Sequence, residues 1–139
     1  MFVLDTNHFR ELVHESEIGL RLKARMASAG GEFVLSIVTA EEALRGWLAR
    51  IGAARDAAEQ TLGYAQLGRV IAALSEYTLV PWDEDAALRF QQFRSAGIRV
   101  GTMDLRIACI TLEHDAVLLT RNRTDFERVP GLKFENWLD

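Results

Sequence analysis

The chain has 139 residues, enough to bury one core, and its 49% hydrophobic and 26% charged residues are ordinary for a soluble globular protein. No apolar run approaches the roughly 18 residues of a membrane span, and Met1-Phe2-Val3-Leu4-Asp5 turns acidic too soon for a signal peptide. The single cysteine, Cys109, excludes an intrachain disulfide and suits a reducing cytoplasm. A net charge of −4 argues, as a total, against a nucleic-acid partner. Its distribution changes that reading: setting aside the four site carboxylates argued below leaves 16 acids against 16 bases. Fourteen of those bases are arginine, whose planar fork fits phosphate oxygens.

In chain order, Phe2-Val3-Leu4 reads as a short buried strand, and Asp5-Thr6-Asn7 opens a helix carrying Phe9, Leu12 and Val13. Ser16 caps a second helix with Ile18, Leu20, Leu22 and Met26, ended by Gly30-Gly31. Phe33-Val34-Leu35-Ser36 is a second strand. Thr39 to Ile51 follows as a helix with Ala43, Leu44, Trp47, Leu48 and Ile51 on one stripe. A helical stretch over about 54–75 is expected to break or bend near Gly63 and Gly68. Tyr77-Thr78-Leu79-Val80 is a third strand, stopped by Pro81, and Asp83 caps the next helix. Thr102 caps another, running from Met103 to Leu112; Ala116 to Thr120 is a fourth strand and Leu132-Lys133-Phe134 a short edge strand. With no repeat or Pro/Gly-rich linker, residues 1–139 read as a single domain.

Short apolar strands alternating with helices are the pattern of a parallel sheet covered on both faces. The expected fold class is therefore α/β: a three-layer α/β/α arrangement with a central, mostly parallel sheet of four to five strands and a helical arm. Reactive groups in such folds collect beyond the carboxyl ends of the strands. That rule selects Asp5 after the first strand, Thr39 to Glu42 after the second, and Thr120 to Asp125 after the fourth. Asp104 joins them from the first turn of the helix leading into the fourth strand.

Each acid alone has a plain structural reading. Asp5 and Asp125 fit helix caps, Thr39-Ala40-Glu41-Glu42 fits a capping box, and Asp104 complements a helix dipole. Together they are different, because carboxylates converging on one sheet edge repel and must take up protons or recruit a cation. Mg²⁺, which prefers oxygen ligands and keeps several waters, suits a loose carboxylate cluster. Such a cation activates water for attack on a phosphodiester. No His/Cys cluster competes for zinc and no glycine-rich phosphate loop is present.

The order and spacing of these segments carry a more specific resemblance. Val3-Leu4-Asp5-Thr6-Asn7, Ser36 to Gly46, Asp104-Leu105-Arg106-Ile107-Ala108, Leu119 to Phe126 and Val129-Pro130-Gly131-Leu132 together resemble the PIN-domain nucleases. Within them, the likeness is to the VapC-like toxins of bacterial toxin–antitoxin pairs, and it runs nearly end to end. It implies a PIN-like fold and a metal-dependent endoribonuclease with Mg²⁺ as cofactor and Mn²⁺ as substitute. A metal-activated water would cleave RNA to leave a 5′-phosphate and a 3′-hydroxyl. The implied partners are a cognate antitoxin, whose arginine would plug the acidic pocket, and a second copy of the chain in a homodimer, with a larger antitoxin complex beyond it. Substrate choice would lie in the helical arm.

Carried over by position, the implied metal ligands are Asp5, Glu42 and Asp104. Glu42 is preferred to Glu41 because it lies three residues after Thr39 and four before Gly46, while Glu41 points about 100° away on the helix. The fourth corner is open. The position two after Thr120, often aspartate in this family, is Asn122 here, and Asp125 is the alternative source of charge. Thr6, Asn7, Thr39 and Thr120 are expected to orient carboxylates and water. Arg45, Arg106, Arg121 and Arg123 are candidate phosphate-holding cations, with a solvated surface as the competing reading.

Two other functions compete. An aspartyl-phosphate phosphatase would use Asp5 as nucleophile, but such enzymes carry a second aspartate two residues on, where this chain has Asn7. A catalytically weak RNA- or partner-binding module is the other, encouraged by Asn122. Cys109 reads as core, the histidines His8, His14 and His114 as surface or helix-end residues, and Trp47, Trp82 and Trp137 as core or subunit contacts.

Overall fold

Five strands of two to four residues find one another because so short a segment, buried on both faces at the centre of the sheet, gains only by pairing its backbone. In the computed structural model, which describes residues 1–139, the elements run β1 (Phe2–Leu4), α1 (Thr6–His14), α2 (Glu17–Ala29), β2 (Phe33–Ser36), α3 (Ile37–Gly52) and α4 (Ala57–Leu74). They continue with β3 (Leu79–Val80), α5 (Glu84–Ser95), α6 (Thr102–Glu113), β4 (Val117–Leu119), α7 (Arg123–Phe126) and β5 (Lys133–Glu135). The sheet order is β3-β2-β1-β4-β5 and every pairing is parallel. The central register aligns Val3 with Val34 and Leu118, and Leu4 with Leu35 and Leu119.

Alternation along the strands splits the core in two. Val3, Val34 and Leu118 face a layer built by α5 and α6, with Ala86, Leu105, Ile107 and Ile110. Leu4, Leu35 and Leu119 face the opposite layer, where Phe9 and Val13 of α1, Leu22 of α2 and Val70 and Leu74 of α4 close over them. Each fully buried Leu, Ile or Phe contributes about 1.5–3 kcal/mol by leaving water. The result is the three-layer α/β/α arrangement expected from the sequence, with a five-stranded sheet that is parallel throughout.

The topology places the site. From β1 the chain steps outward to β2 and β3, then returns to the other side of β1 for β4 and β5. The reversal leaves a crevice beyond the carboxyl ends of β1 and β4, the switch point at which open α/β sheets bind ligands.

Several local expectations are corrected. The helix expected from Thr39 starts at Ile37, capped by Ser36, whose Oγ accepts from the Thr39 backbone N–H at 3.0 Å. Thr39 is therefore inside the first turn and is not the head of a capping box. Thr102 is helical, and the cap position falls to Gly101, which has no side chain to give. Helix α4 runs unbroken through Gly63 and Gly68. Gly63 is a packing residue: a Cβ there would sit 2.7 Å from Ile51 Cγ1, so it lets α4 close on α3. Leu20 and Leu48 face solvent. His8 is fully buried, contrary to its surface reading. Cys109 is core, and burial pushes its thiol up to about 11. Trp137 packs in a cluster with Phe2 and Phe33, at centroid distances of 5.0 and 5.8 Å.

Gly19 is the tightest of these contacts. A Cβ at this position would lie 2.0 Å from the backbone carbonyl oxygen of Glu11, across the α1–α2 corner. Gly19→Ala gains about 1 kcal/mol of helix propensity and forces apart two backbones at about 1–3 kcal/mol. We expect net destabilisation, read as a lower midpoint in urea unfolding; an unchanged or higher midpoint would contradict this close approach.

Candidate active site

The turn after β1 sets the first corner. Asp5 takes extended backbone angles as N-cap of α1, and its Oδ1 accepts the His8 backbone N–H at 2.9 Å. This is the capping role available to any aspartate, but the carboxylate is almost buried, at 6% exposure. The same Oδ1 also meets the His8 ring Nδ1 at 3.0 Å. Of these hydrogen bonds, none falls on Asp5 Oδ2.

Glu42 comes to the same place from α3. Ser36 starts that helix at the very end of β2, so Glu42 is in its second turn and faces the crevice. There the hydroxyl of Thr6 donates to its Oε1 at 2.6 Å. Glu41, one residue earlier, points to solvent and pairs with Arg45.

Asp104 arrives from α6. That helix runs back toward the start of β4, so its own N-terminus lies at the carboxyl edge of the sheet. Asp104 is half-buried in its first turn. The fourth side is the turn after β4. The Thr120 hydroxyl accepts the Asn122 backbone N–H at 3.0 Å and fixes this turn. The Asn122 amide Nδ2 donates to Asp125 Oδ2 at 2.8 Å and to Asp104 Oδ2 at 3.3 Å.

The electrostatics show that these groups crowd one another. Burial pushes the Asp104 carboxyl above the ordinary carboxylate range. The charges of Glu42, then Asp125, then Asp5 push it further up, against a downward pull from the Asn122 hydrogen bond. The four acids thus bear on one volume. No three His, Cys, Asp or Glu side chains close around a single point tightly enough to grip an ion unaided. The donor set is entirely oxygen, which fits Mg²⁺ held by one or two carboxylates with most of its waters retained.

The remaining sequence expectations divide. Thr6 touches Glu42, and Thr120 shapes the Asn122 turn. Asn7 does not reach the carboxylates: its Oδ1 accepts from Arg10. The buried Thr39 hydroxyl pairs with Ser36 Oγ at 3.2 Å, away from the acids. Arg45 is taken up by Glu41, and Arg121 by Asp139 at 3.1 Å. Arg106 lies over Phe90 and Trp82, at 5.7 and 5.9 Å from the ring centroids. Arg123 is exposed beside Asn122, with no side-chain hydrogen bond in the structure. His8 is the residue that sequence reasoning missed. Its position three after a capping aspartate signalled a contact with Asp5, and spacing suited to metal ligands was the wrong test for it.

Comparison with known proteins identifies the fold. The PIN-domain sequence pattern matches residues 2–132. A curated relative, Ribonuclease VapC1 of Haemophilus influenzae strain R2866, is 26% identical over 142 residues, covering 99% of this chain and 98% of its own. Ribonuclease VapC1 of Methanocaldococcus jannaschii is 30% identical over 113 residues, covering 80% of this chain and 75% of its own. Among solved structures, a chain of DNA-bound VapBC from Salmonella typhimurium superposes with a TM-score of 0.78 at 26% identity, over 98% of this chain and 97% of that one. With a parallel five-stranded sheet and acids gathered at its switch point, the chain belongs to the PIN-domain family, in its VapC branch.

Proposed function

We propose that this protein is a metal-dependent endoribonuclease, the toxin of a toxin–antitoxin pair, which hydrolyses RNA phosphodiesters in the crevice beyond the carboxyl ends of β1 and β4. The observation that carries the metal reading is the convergence of Asp5, Glu42, Asp104 and Asp125, each from a different turn, with the Asp104 carboxyl raised first by burial and then by the charges of the other three. Relatives across nearly the whole chain are named ribonucleases, which supports RNA as the substrate. That the Salmonella neighbour is a toxin–antitoxin complex supports an antitoxin partner.

In this reading Asp5, Glu42, Asp104 and Asp125 hold Mg²⁺, with Mn²⁺ as substitute. The bound cation supplies a Lewis acid and an activated water for attack at phosphorus, leaving a 5′-phosphate and a 3′-hydroxyl. The chain's own residues do the positioning. Asp5 offers Oδ2, because Oδ1 is occupied by two donors from His8. Thr6 steadies Glu42, and the Asn122 amide draws Asp104 and Asp125 together as a neutral bridge. Charge at the fourth corner then comes from Asp125. Arg123, free of ion pairs beside this turn, is placed to meet the RNA phosphates. An antitoxin arginine would pair bidentately with the same carboxylates and block the cleft. The phosphatase alternative lacks its second acid, because Asn7 stands at that position, and its side chain is turned to Arg10.

Asp5→Asn keeps a good helix cap and Asp104→Asn keeps the volume, so both variants should fold while Mg²⁺-dependent cleavage of RNA falls below detection. Full activity in either purified variant would sink the mechanism. Glu42→Gln should slow cleavage at saturating Mg²⁺ by at least about tenfold, and Glu41→Gln by less than about twofold. A reversed order would move the ligand to the other face of α3.

Asp104 also makes a stability prediction. Its folded-state carboxyl is raised, so the stability it contributes is full at low pH and is lost as pH rises through the raised value. At pH 7 without metal its charge is a burden that asparagine removes. Asp104→Asn in chelator should therefore melt above wild type at pH 7, with the gap shrinking toward about pH 4 as the wild-type carboxyl takes up its proton. A variant melting below wild type at pH 7 would show that the four acids do not repel as described.

A further inference from the structure

His8 is fully buried, yet its ring reaches two fixed points on either side. On one side Nδ1 lies 3.0 Å from Asp5 Oδ1. On the other, the backbone N–H of Trp137 donates to Nε2 at 3.3 Å. An N–H pointed at Nε2 requires a lone pair there, so the ring proton belongs on Nδ1, where it faces Asp5.

The Trp137 N–H is itself held. Its indole lies against Phe2 and Phe33 with the Arg25 guanidinium 4.3 Å above it, and Nε1 donates to Glu135 Oε2 at 2.6 Å. Leu138 N–H donates to Asn136 Oδ1 at 2.9 Å, closing the local backbone. Asp5 Oδ1 thus receives two donors from one residue: the backbone N–H, fixed by the start of α1, and the ring, held also by a segment far along the chain.

We propose that His8 is a positioning residue: clamped in its Nδ1–H tautomer by the Trp137 backbone, it locks the Asp5 carboxylate so that Oδ2 alone faces the crevice and the cation. The cation half of this rests on the metal reading above; the tautomer and the lock do not. Histidine at this position is a metal-orienting group that does not itself bind the metal, which is the common arrangement of a hydrogen-bonded ligand partner with the order of residues reversed.

The experiment has two arms. In metal-free wild-type protein, ring ¹⁵N shifts of His8 should report protonation at Nδ1 and an accepting Nε2. An Nε2–H tautomer overturns the proposal whatever the metal does. In the second arm, Mn²⁺ affinity is measured by electron paramagnetic resonance on wild type, His8→Asn and His8→Leu. Both variants remove the acceptor for Trp137 N–H and share that structural loss, but only asparagine keeps a donor near the Nδ1 position. His8→Leu should bind Mn²⁺ about 10–100-fold more weakly, and His8→Asn within about threefold of wild type.

Equal loss in both variants, or unchanged affinity in His8→Leu, overturns the positioning role. If His8→Leu does not fold, His8→Asn against wild type decides, a loss beyond about tenfold counting against the proposal. Wild type that binds no Mn²⁺ overturns the metal reading, and the tautomer then decides the lock by itself.

Discussion

Like charges gathered at one end of a sheet are the constraint around which this molecule is arranged. At an effective dielectric of about 20, two carboxylates about 5 Å apart repel by about 3 kcal/mol, a large part of the stability of a domain this small. Asp5, Glu42, Asp104 and Asp125 come from four separate turns, so no local sequence preference brings them together. The fold does, and it supplies donors as it does so: His8 to Asp5, Thr6 to Glu42, and one Asn122 amide to both Asp104 and Asp125. Helix starts add to this. Asp5 caps α1, and Asp104 lies in the first turn of α6, where the backbone dipole favours negative charge. Burial, together with the repulsion that the donors and dipoles leave uncompensated, raises the carboxyl of Asp104.

Holding such groups in place requires a stiff frame, and the frame is built from very short strands. Strand β1 has three residues, so only Val3 and Leu4 are fully buried, and they face opposite layers. The hydrogen-bond ladder continues past the strand, with Asp5 N–H donating to the Leu119 carbonyl at 3.0 Å. Asp5 is therefore fixed by backbone pairing to the end of β4 as well as by its side chain. The distance between the first and fourth corners is thereby tied to sheet spacing, a rigid quantity. The aromatic cluster of Phe2, Phe33 and Trp137 works from the other end: it anchors the segment whose backbone reaches His8.

The layers and the parallel sheet were legible because they depend on short-range periodicity, while Asp5, Glu42 and Asp104 were singled out by the carboxyl-edge rule and by the resemblance to the PIN-domain pattern. Apolar strands of three to five residues can be read within a few residues, and it was the resemblance, carried over by position, that preferred Glu42 to Glu41. What was not legible depended on competition or on distance. Ser36 and Thr39 are both good caps, three residues apart, and the end of β2 decides between them: pairing with β3 carries the strand through Ser36, and the helix starts at once. Gly63 and Gly68 read as breaks because propensity alone disfavours them, whereas packing of α4 on α3 uses the missing Cβ of Gly63. His8 was misread because its second partner is 129 positions away. Asn7, equally close to Asp5 in sequence, was given an orienting role, yet one residue of helix rotation turns it outward to Arg10.

At Asn122 charge, hydrogen bonding and backbone placement meet. A fifth carboxylate there would add to the charge already raising Asp104, and it would have no proton with which to satisfy either neighbour. The amide reverses both effects. It removes a charge and supplies donors to Asp104 and Asp125, so the metal-free protein keeps the two acids close at lower electrostatic cost. The same exchange lessens the pull on a cation, since one neutral group replaces a charged one. In the proposed reading, the chain at this corner has traded affinity for a preorganised pair of carboxylates. The charge that remains, on Asp125, sits in the short helix α7, whose entry is fixed by Thr120 and Asn122. The fourth corner is thus set by the turn after β4 acting as a unit, in which Thr120 holds the Asn122 backbone and the Asn122 amide holds Asp125.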